Sequence, residues 1–127
     1  MSDIEHARMM LELAKKDFKA LGGMIDAEVF DDSIFGFHVQ QTAEKAIKAW
    51  LSFLGVKYPK THDLRHLLTL LDGRGVSTEA LFELVEYNAY AVQFRYESFL
   101  ADEGPIDRKE ALSLAGSLIE RVEGVLK

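Results

Sequence analysis

Apolar residues recur along most of the chain at steps of three or four, which is the spacing of one helix face. The first such face contains Ile4, Ala7, Leu11, Ala14, Phe18 and Leu21. The capping-box sequence SDIE precedes this run, and the pair Gly22-Gly23 follows it. These signals predict a first helix that ends at the glycine pair.

A second helix is predicted from Asp32 or Ser33 to Leu54, with Gly55 as its stop. Its apolar face contains Phe35, Val39, Ala43, Ala46, Trp50 and Phe53. Trp50 is assigned to the core. The turn VKYPK follows, and Pro59 keeps Tyr58 out of helical geometry.

The rest of the chain predicts three further helices. Thr61 is expected to cap a short third helix, and Ser77 a fourth. The third and fourth helices would bury Leu64, Leu67, Leu68, Leu71, Leu81, Leu84, Val85, Asn88, Ala91 and Val92. The capping-box sequence DRKE opens the last helix, whose apolar face is Ala111, Leu114, Leu118, Val122 and Val125.

The sequence contains no alternating strand pattern of useful length and no internal repeat. It therefore predicts an all-α fold, an up-and-down helical bundle of four main helices plus one short helix. Its 127 residues fit a single domain over residues 1–127.

Composition narrows the possible functions. The chain has no cysteine, which excludes disulfides and a cysteine nucleophile. Its net charge of −6 argues against coating nucleic acid as a main function, and no DNA partner is expected. The start MSDIEHARMM lacks the basic and apolar segments of a secretory signal. No run approaches the roughly 18 to 20 apolar residues of a membrane span, so we expect a cytoplasmic protein without a membrane partner.

One stretch of the second helix departs from a plain amphipathic pattern. In FHVQQTAEKAIKAW, the polar residues His38, Gln41, Lys45 and Lys48 lie at steps of three, four and three, on one helix stripe. Glu44 and Lys48 have the spacing of a favourable ion pair. Two interpretations stay open: the stripe is solvated surface, or it borders a site that needs imidazole, amide and ammonium groups.

Motifs for metal or nucleophilic chemistry are missing. His62 and His66 lie four residues apart, but no glutamate follows His62 directly and no third ligand is obvious. Two solvated histidines are the favoured interpretation, with no metal. The chain has neither a Gly-rich phosphate loop nor a Gly-x-Ser-x-Gly elbow. No cofactor is expected.

The run FHVQQTAEKAIKAWLSFLGVKYPKTHDLRHLL resembles the HEPN domain family (higher eukaryotes and prokaryotes nucleotide-binding). That family's pattern is an aromatic residue, then Gln-x-x-Glu-Lys-x-x-Lys, a turn, and Thr-His-Asp-Leu. The matching positions are Phe37, Gln41, Glu44, Lys45, Lys48, Thr61, His62, Asp63 and Leu64. Farther on, Arg95 and Tyr96 are similar to the family's Arg-Tyr-Pro segment, with Glu97 in place of proline.

The resemblance implies a dimerising helical bundle, involvement with nucleotides or RNA, and a small nucleotidyltransferase as partner, in a pair of toxin–antitoxin type. Many members are metal-independent ribonucleases with an arginine, four to six residues, then a histidine. Arg95 is followed at those positions by Leu100, Ala101 and Asp102. We therefore predict a non-catalytic module.

The predicted ligand-binding residues of this module are Gln41, Lys45, Lys48, His62 and Arg95. They would border one concave site that prefers phosphate or a nucleotide. Arg95 could instead end the fourth helix and pair with Glu97 or Asp102. The alternative function is a toxin-type endoribonuclease that uses His38 or His62 together with Arg95.

A homodimer is also expected. Four phenylalanines lie off the main apolar stripes, namely Phe30, Phe37, Phe94 and Phe99. In a monomer they would form exposed patches.

Overall fold

The computed structural model describes residues 2–93 and 105–127, and within this part of the chain it contains helices and no strand. The α-helices are α1 (Asp3–Gly22), α2 (Asp32–Phe53), α3 (Leu64–Asp72), α4 (Asn88–Gln93) and α5 (Arg108–Leu126), with a 3-10 helix at Glu79–Tyr87 before α4. The predicted all-α bundle is confirmed.

The ends of α1 and α2 follow the predicted signals. The Ser2 hydroxyl accepts a hydrogen bond from the backbone of Glu5, and the Glu5 carboxylate accepts one from the backbone of Ser2, so the capping box is formed. Asp31 caps α2 through the backbone N–H of Ser33. Gly55 follows α2 with φ of 77°, a conformation that favours glycine.

The predicted cap of α3 was wrong by two residues. Asp63, not Thr61, is the N-cap, and its carboxylate accepts the backbone N–H of Arg65. Asn88 adds a second cap, because its side-chain oxygen accepts the backbone N–H of Leu64 at 2.8 Å. Thr61 instead accepts the N–H of Asp63 and shapes the turn.

The predicted fourth helix also differs. Thr78, not Ser77, occupies its N-cap position, and neither a Ser77 nor a Thr78 side-chain hydrogen bond caps the helix. Its first nine residues form a 3-10 helix. The buried residues Leu81 and Leu84 are three positions apart, a spacing that is compatible with the three-residue turn of a 3-10 helix.

Helix α2 is the centre of the bundle and packs against every other described helix. Small residues on α2 let the neighbouring helices approach closely, and Ala43, Ala46 and Ala49 are fully buried. Trp50 is also buried, as predicted, and the α3 leucines cover the adjacent face. Ile4, at the start of the α1 stripe, remains exposed. None of the described helices has the length and apolar character needed to cross a membrane.

The loop between α1 and α2 is fixed by one buried arginine. Arg108, at the start of α5, donates to the backbone oxygens of Met24 and Phe30 and to the carboxylate of Asp32, at 2.6 to 2.7 Å. Three acceptors satisfy a guanidinium that would otherwise be costly to bury. This contact holds the start of α2, and therefore its polar stripe, in place.

Candidate functional site

A buried carboxylate lies at the centre of the candidate site. The side chain of Glu44 is 6% exposed. Its Oε1 accepts a hydrogen bond from Nε2 of Gln40 at 2.9 Å and lies 2.9 Å from Nδ1 of His62, while its Oε2 accepts from Nζ of Lys48 at 2.9 Å. Together with Gln41, which donates to Gln40 at 2.8 Å, these residues are called the Glu44 cluster.

The helical repeat explains how the cluster forms. Gln40, Glu44 and Lys48 follow one another at four-residue steps and therefore lie on one face of α2. His62 comes from the turn before α3. The side-chain amide of Gln40 also donates to the backbone oxygen of His62 at 2.9 Å, so the same residue holds the turn and the carboxylate.

The electrostatics of Glu44 result from two opposing effects. Burial raises the pKa of the Glu44 carboxyl, but hydrogen bonds from Gln40, Lys48 and His62 outweigh burial, and the pKa lies below its usual value. Glu44 is thus ionised at neutral pH. Burial and this negative charge raise the pKa of the nearby Tyr58 hydroxyl. The Lys48 ammonium lies 5.3 Å from the centre of the Tyr58 ring, which adds a cation–π contact.

His62 combines a fixed ring with an open face. An ionised carboxylate can accept hydrogen bonds but cannot donate them, so Nδ1 of His62 carries the proton in its contact with Glu44. The side chain of His62 is 72% exposed, and Nε2 has no hydrogen-bond partner within the described residues. Nε2 is therefore available to a ligand, as an acceptor in the neutral ring and as a donor in the protonated ring.

A second cluster joins α2 to α1. The Asp17 carboxylate of α1 accepts a hydrogen bond from Nζ of Lys45 at 2.6 Å, and its other oxygen lies 3.1 Å from Nδ1 of His38. All three side chains are partly exposed. Asp17, His38 and Lys45 are called the Asp17 cluster.

The predicted stripe is thus divided between two carboxylates. Gln41, Lys48 and His62 belong to the Glu44 cluster, Lys45 belongs to the Asp17 cluster, and Arg95 lies outside the described residues. Each stripe lysine is neutralised by an acid. Two clefts, of about 150 Å³ between the 3-10 helix and α5 and about 270 Å³ between α1 and α5, are lined by other residues.

Sequence reasoning missed Asp17 and Gln40. Gln40 has a detectable signal, because it lies four residues before Glu44 and so shares its helix face. The signal for Asp17 is its position between the buried residues Ala14 and Leu21, which places it beside the face of α1 that packs on α2. Its partner on α2 could not be identified without the helix register.

A comparison with models of protein families shows to which family the chain belongs. The family model described as HEPN domain matches residues 7–125, nearly the whole chain. The chain belongs to the HEPN domain family. This confirms the resemblance in the α2–α3 region. Members of the family are nucleotide-binding or ribonuclease-type modules. Comparisons with curated proteins and with solved structures found no match.

The histidines of the two clusters can take part in hydrogen bonding and proton transfer. Within the described residues, no group of three or more histidine, cysteine, aspartate or glutamate side chains could hold a metal ion. His38 and His62 each have Nδ1 beside a carboxylate. That arrangement fixes the orientation of an imidazole and leaves Nε2 for a ligand.

Proposed function

We propose that this HEPN domain is a non-catalytic module that binds the phosphate groups of a nucleotide or RNA. It works in the cytoplasm with a nucleotidyltransferase partner, in a pair of toxin–antitoxin type. The observation that supports binding is the exposed imidazole of His62, held through Nδ1 by the buried carboxylate of Glu44. A side chain that is already fixed loses little conformational freedom when a ligand binds.

The predicted ligand-binding set remains Gln41, Lys45, Lys48, His62 and Arg95. His62 is the most exposed of its described members. When the ring carries a second proton, Nε2 becomes a donor that can bind a phosphate oxygen. Lys45 and Lys48 would contact a ligand by sharing or leaving their carboxylate partners.

The proposal of a non-catalytic role depends on the sequence after Arg95. The expected histidine positions hold Leu100, Ala101 and Asp102. Leucine and alanine cannot carry a proton, and an aspartate with a pKa near 4 is a weak base at pH 7. General acid–base cleavage of RNA needs a group that exchanges a proton near neutral pH.

Calorimetric titration with nucleoside mono- and triphosphates tests the binding. We expect measurable heat for the wild-type protein, more for the triphosphate, and weaker binding for His62→Gln. Lys45→Ala serves as the second variant and measures whether the Asp17 cluster takes part. Negligible heat for the wild-type protein with every nucleotide and with a short single-stranded RNA would contradict the proposed function.

A specific observation keeps the endoribonuclease as a second candidate. Both His38 and His62 have the carboxylate-held geometry of a catalytic base. We expect the purified protein to leave single-stranded RNA intact over hours, with or without a chelator. Cleavage that is lost in Arg95→Ala, His38→Gln or His62→Gln would establish the nuclease function instead.

Assembly as a homodimer is part of the proposal. Several apolar side chains are exposed on the described surface, including Ile25 and Val29 in the loop between α1 and α2, while Phe30 and Phe37 are half-buried. Phe94 and Phe99 lie outside the described residues. Light scattering at micromolar concentration should give about twice the chain mass of 14.3 kDa. A single species at the chain mass would contradict dimerisation.

A further inference from the structure

The turn between α2 and α3, together with the first residues of α3, carries exposed cations without acidic partners. Lys57, Lys60 and Arg65 are exposed, and none of them takes part in an ion pair within the described residues. His62 and His66 are exposed beside them. These five residues are called the basic turn and fall within the ten-residue segment 57–66. The whole chain, in contrast, has a net charge of −6.

The one acid in this segment is already engaged. The Asp63 carboxylate accepts hydrogen bonds from the backbone of Arg65 and from the side-chain amide of Asn88. The backbone N–H groups of Leu64 and Arg65, the first two of α3, are taken by Asn88 and Asp63 and are not available to a ligand. Attraction for an anion therefore comes from the side chains of the basic turn.

The basic turn has a rigid support. Gln40 donates to the backbone oxygen of His62, Glu44 holds the His62 ring, and Arg74 donates to the backbone oxygen of Leu54 at the end of α2. Because these contacts already fix the backbone of the turn and the His62 ring, binding does not have to order them.

We propose that the basic turn is the surface on which this domain contacts the sugar-phosphate backbone of an RNA strand. This inference depends on the proposed function and assigns its phosphate contacts to Lys57, Lys60 and Arg65 in addition to His62. Their exposure suits a chain of phosphates passing over the surface, since neither described cleft includes them and a single nucleotide needs a concave site.

The turn offers few groups that distinguish one base from another. The exposed rings of His62 and His66 could stack on any base, which gives little sequence preference. Tyr58 is the one tyrosine, phenylalanine or tryptophan between residues 57 and 66, and its ring lies beneath the Lys48 ammonium while its hydroxyl lies 2.7 Å from Nε2 of His6. A ring engaged on its face and at its edge is not a stacking platform for a base. Binding should therefore depend strongly on salt and weakly on RNA sequence.

The experiment compares two charge-matched triple variants. In the first, Lys57, Lys60 and Arg65 are replaced by glutamine. In the second, Lys16, Lys19 and Lys109, which are exposed elsewhere on α1 and α5, are replaced by glutamine. Binding to a fluorescent single-stranded RNA and to DNA of the same sequence is measured by anisotropy between about 50 and 200 mM salt.

We expect the basic-turn variant to bind RNA at least about tenfold more weakly at low salt than the wild-type protein. Its plot of log K against log salt should be shallower by about 2, since three phosphate contacts are lost at about 0.7 each. The control variant should bind within about twofold of wild type. If both variants lost RNA affinity equally, the loss would be explained by net charge alone, and the inference would be overturned.

The failures of the two proposals can be told apart. If the wild-type protein binds neither nucleotides nor RNA, the proposed function fails. If it binds RNA and the basic-turn variant binds equally well, the phosphate contacts lie elsewhere and this inference fails alone. Tight binding of a mononucleotide that the basic-turn substitutions leave unchanged would likewise overturn the inference and favour a separate pocket. If the basic-turn variant lost affinity for DNA as much as for RNA, with the same salt dependence, contact with the phosphate backbone would be supported. The expectation that DNA is not bound would then be overturned.

Discussion

The two lysines of the α2 stripe and the cations of the basic turn differ in what surrounds them. Lys48 is 11% exposed and contacts Glu44, and Lys45 contacts Asp17. Lys57 and Lys60 are exposed and contact no acid within the described residues. A cation that leaves water needs a partner, whereas an exposed cation needs none. The stripe lysines therefore have a structural reason to be present, and the turn lysines do not.

In this domain the regular spacing of the α2 stripe coincides with ion pairs to Glu44 and Asp17. Four-residue spacing brings acids and bases on one helix together as readily as it aligns them toward a ligand. The difference between the ion-paired lysines of the stripe and the exposed cations of the basic turn can be tested by substituting each set separately. Stability and RNA affinity are then measured for each variant.

Replacing Glu44 by glutamine should cause the largest loss of stability, about 3 kcal/mol, because it leaves the buried Lys48 ammonium without a counter-charge. The measurement is urea unfolding at neutral pH. Glu12→Gln is the matched control: Glu12 also pairs with a lysine on its own helix, but it is 68% exposed, and its loss should stay within about 0.5 kcal/mol. Equal losses in the two variants would remove the distinction between buried and exposed pairs.

Lowering the pH should reduce the difference in unfolding free energy between the wild-type protein and Glu44→Gln. The folded-state pKa of Glu44 is lowered below 4.5, so its contribution is present above this value and is lost as the pH falls through the lowered pKa. Unfolding free energies measured from pH 6 downward should converge for the two proteins below about pH 4.5. A constant difference down to pH 3 would mean that Glu44 does not titrate as described.

Replacing Asp17 by asparagine should cost about 1 kcal/mol, less than the change at Glu44, because Lys45 is 26% exposed and water can replace part of the lost interaction. The same urea unfolding experiment gives the value. A loss as large as that of Glu44→Gln would show that the Asp17 cluster is equally essential to the fold.

Removing the three cations of the basic turn should change stability least, by no more than about 0.5 kcal/mol, since none of them has an acidic partner in the described part of the chain. Thermal and urea unfolding of the glutamine variant of Lys57, Lys60 and Arg65 measure this. A loss above about 1 kcal/mol would indicate a structural role and would weaken their assignment to a ligand.

The bundle could be predicted from sequence because its helices carry regular apolar faces and strong caps. The bounds of α1 and α2 followed from Ser2, Gly22, Asp32 and Gly55. The 3-10 helix before α4 could not be predicted, because its apolar spacing also fits an α-helix and its geometry is decided by packing.

The candidate site was predictable in part. The spacing of Glu44 and Lys48 identified their ion pair correctly, and the turn was expected to bring His62 near the second helix. The partnership of Lys45 with Asp17 depends on the register between α1 and α2, which spacing within one helix does not determine. Arg95 lies outside the described residues, so its place in the site stays a prediction.

The most direct test of this account compares RNA affinity in three proteins: wild type, the double variant Asp17→Asn with Lys45→Gln, and the basic-turn variant. The double variant removes an ion pair as a unit, so net charge is unchanged and no charge is left unpaired. We expect the double variant to lose less affinity for RNA than the basic-turn variant, because Lys45 is shared with Asp17, and we expect the basic-turn variant to bind at least about tenfold more weakly than wild type. The reverse order would contradict the assignment of the main phosphate contacts to the basic turn and give them to the α2 stripe.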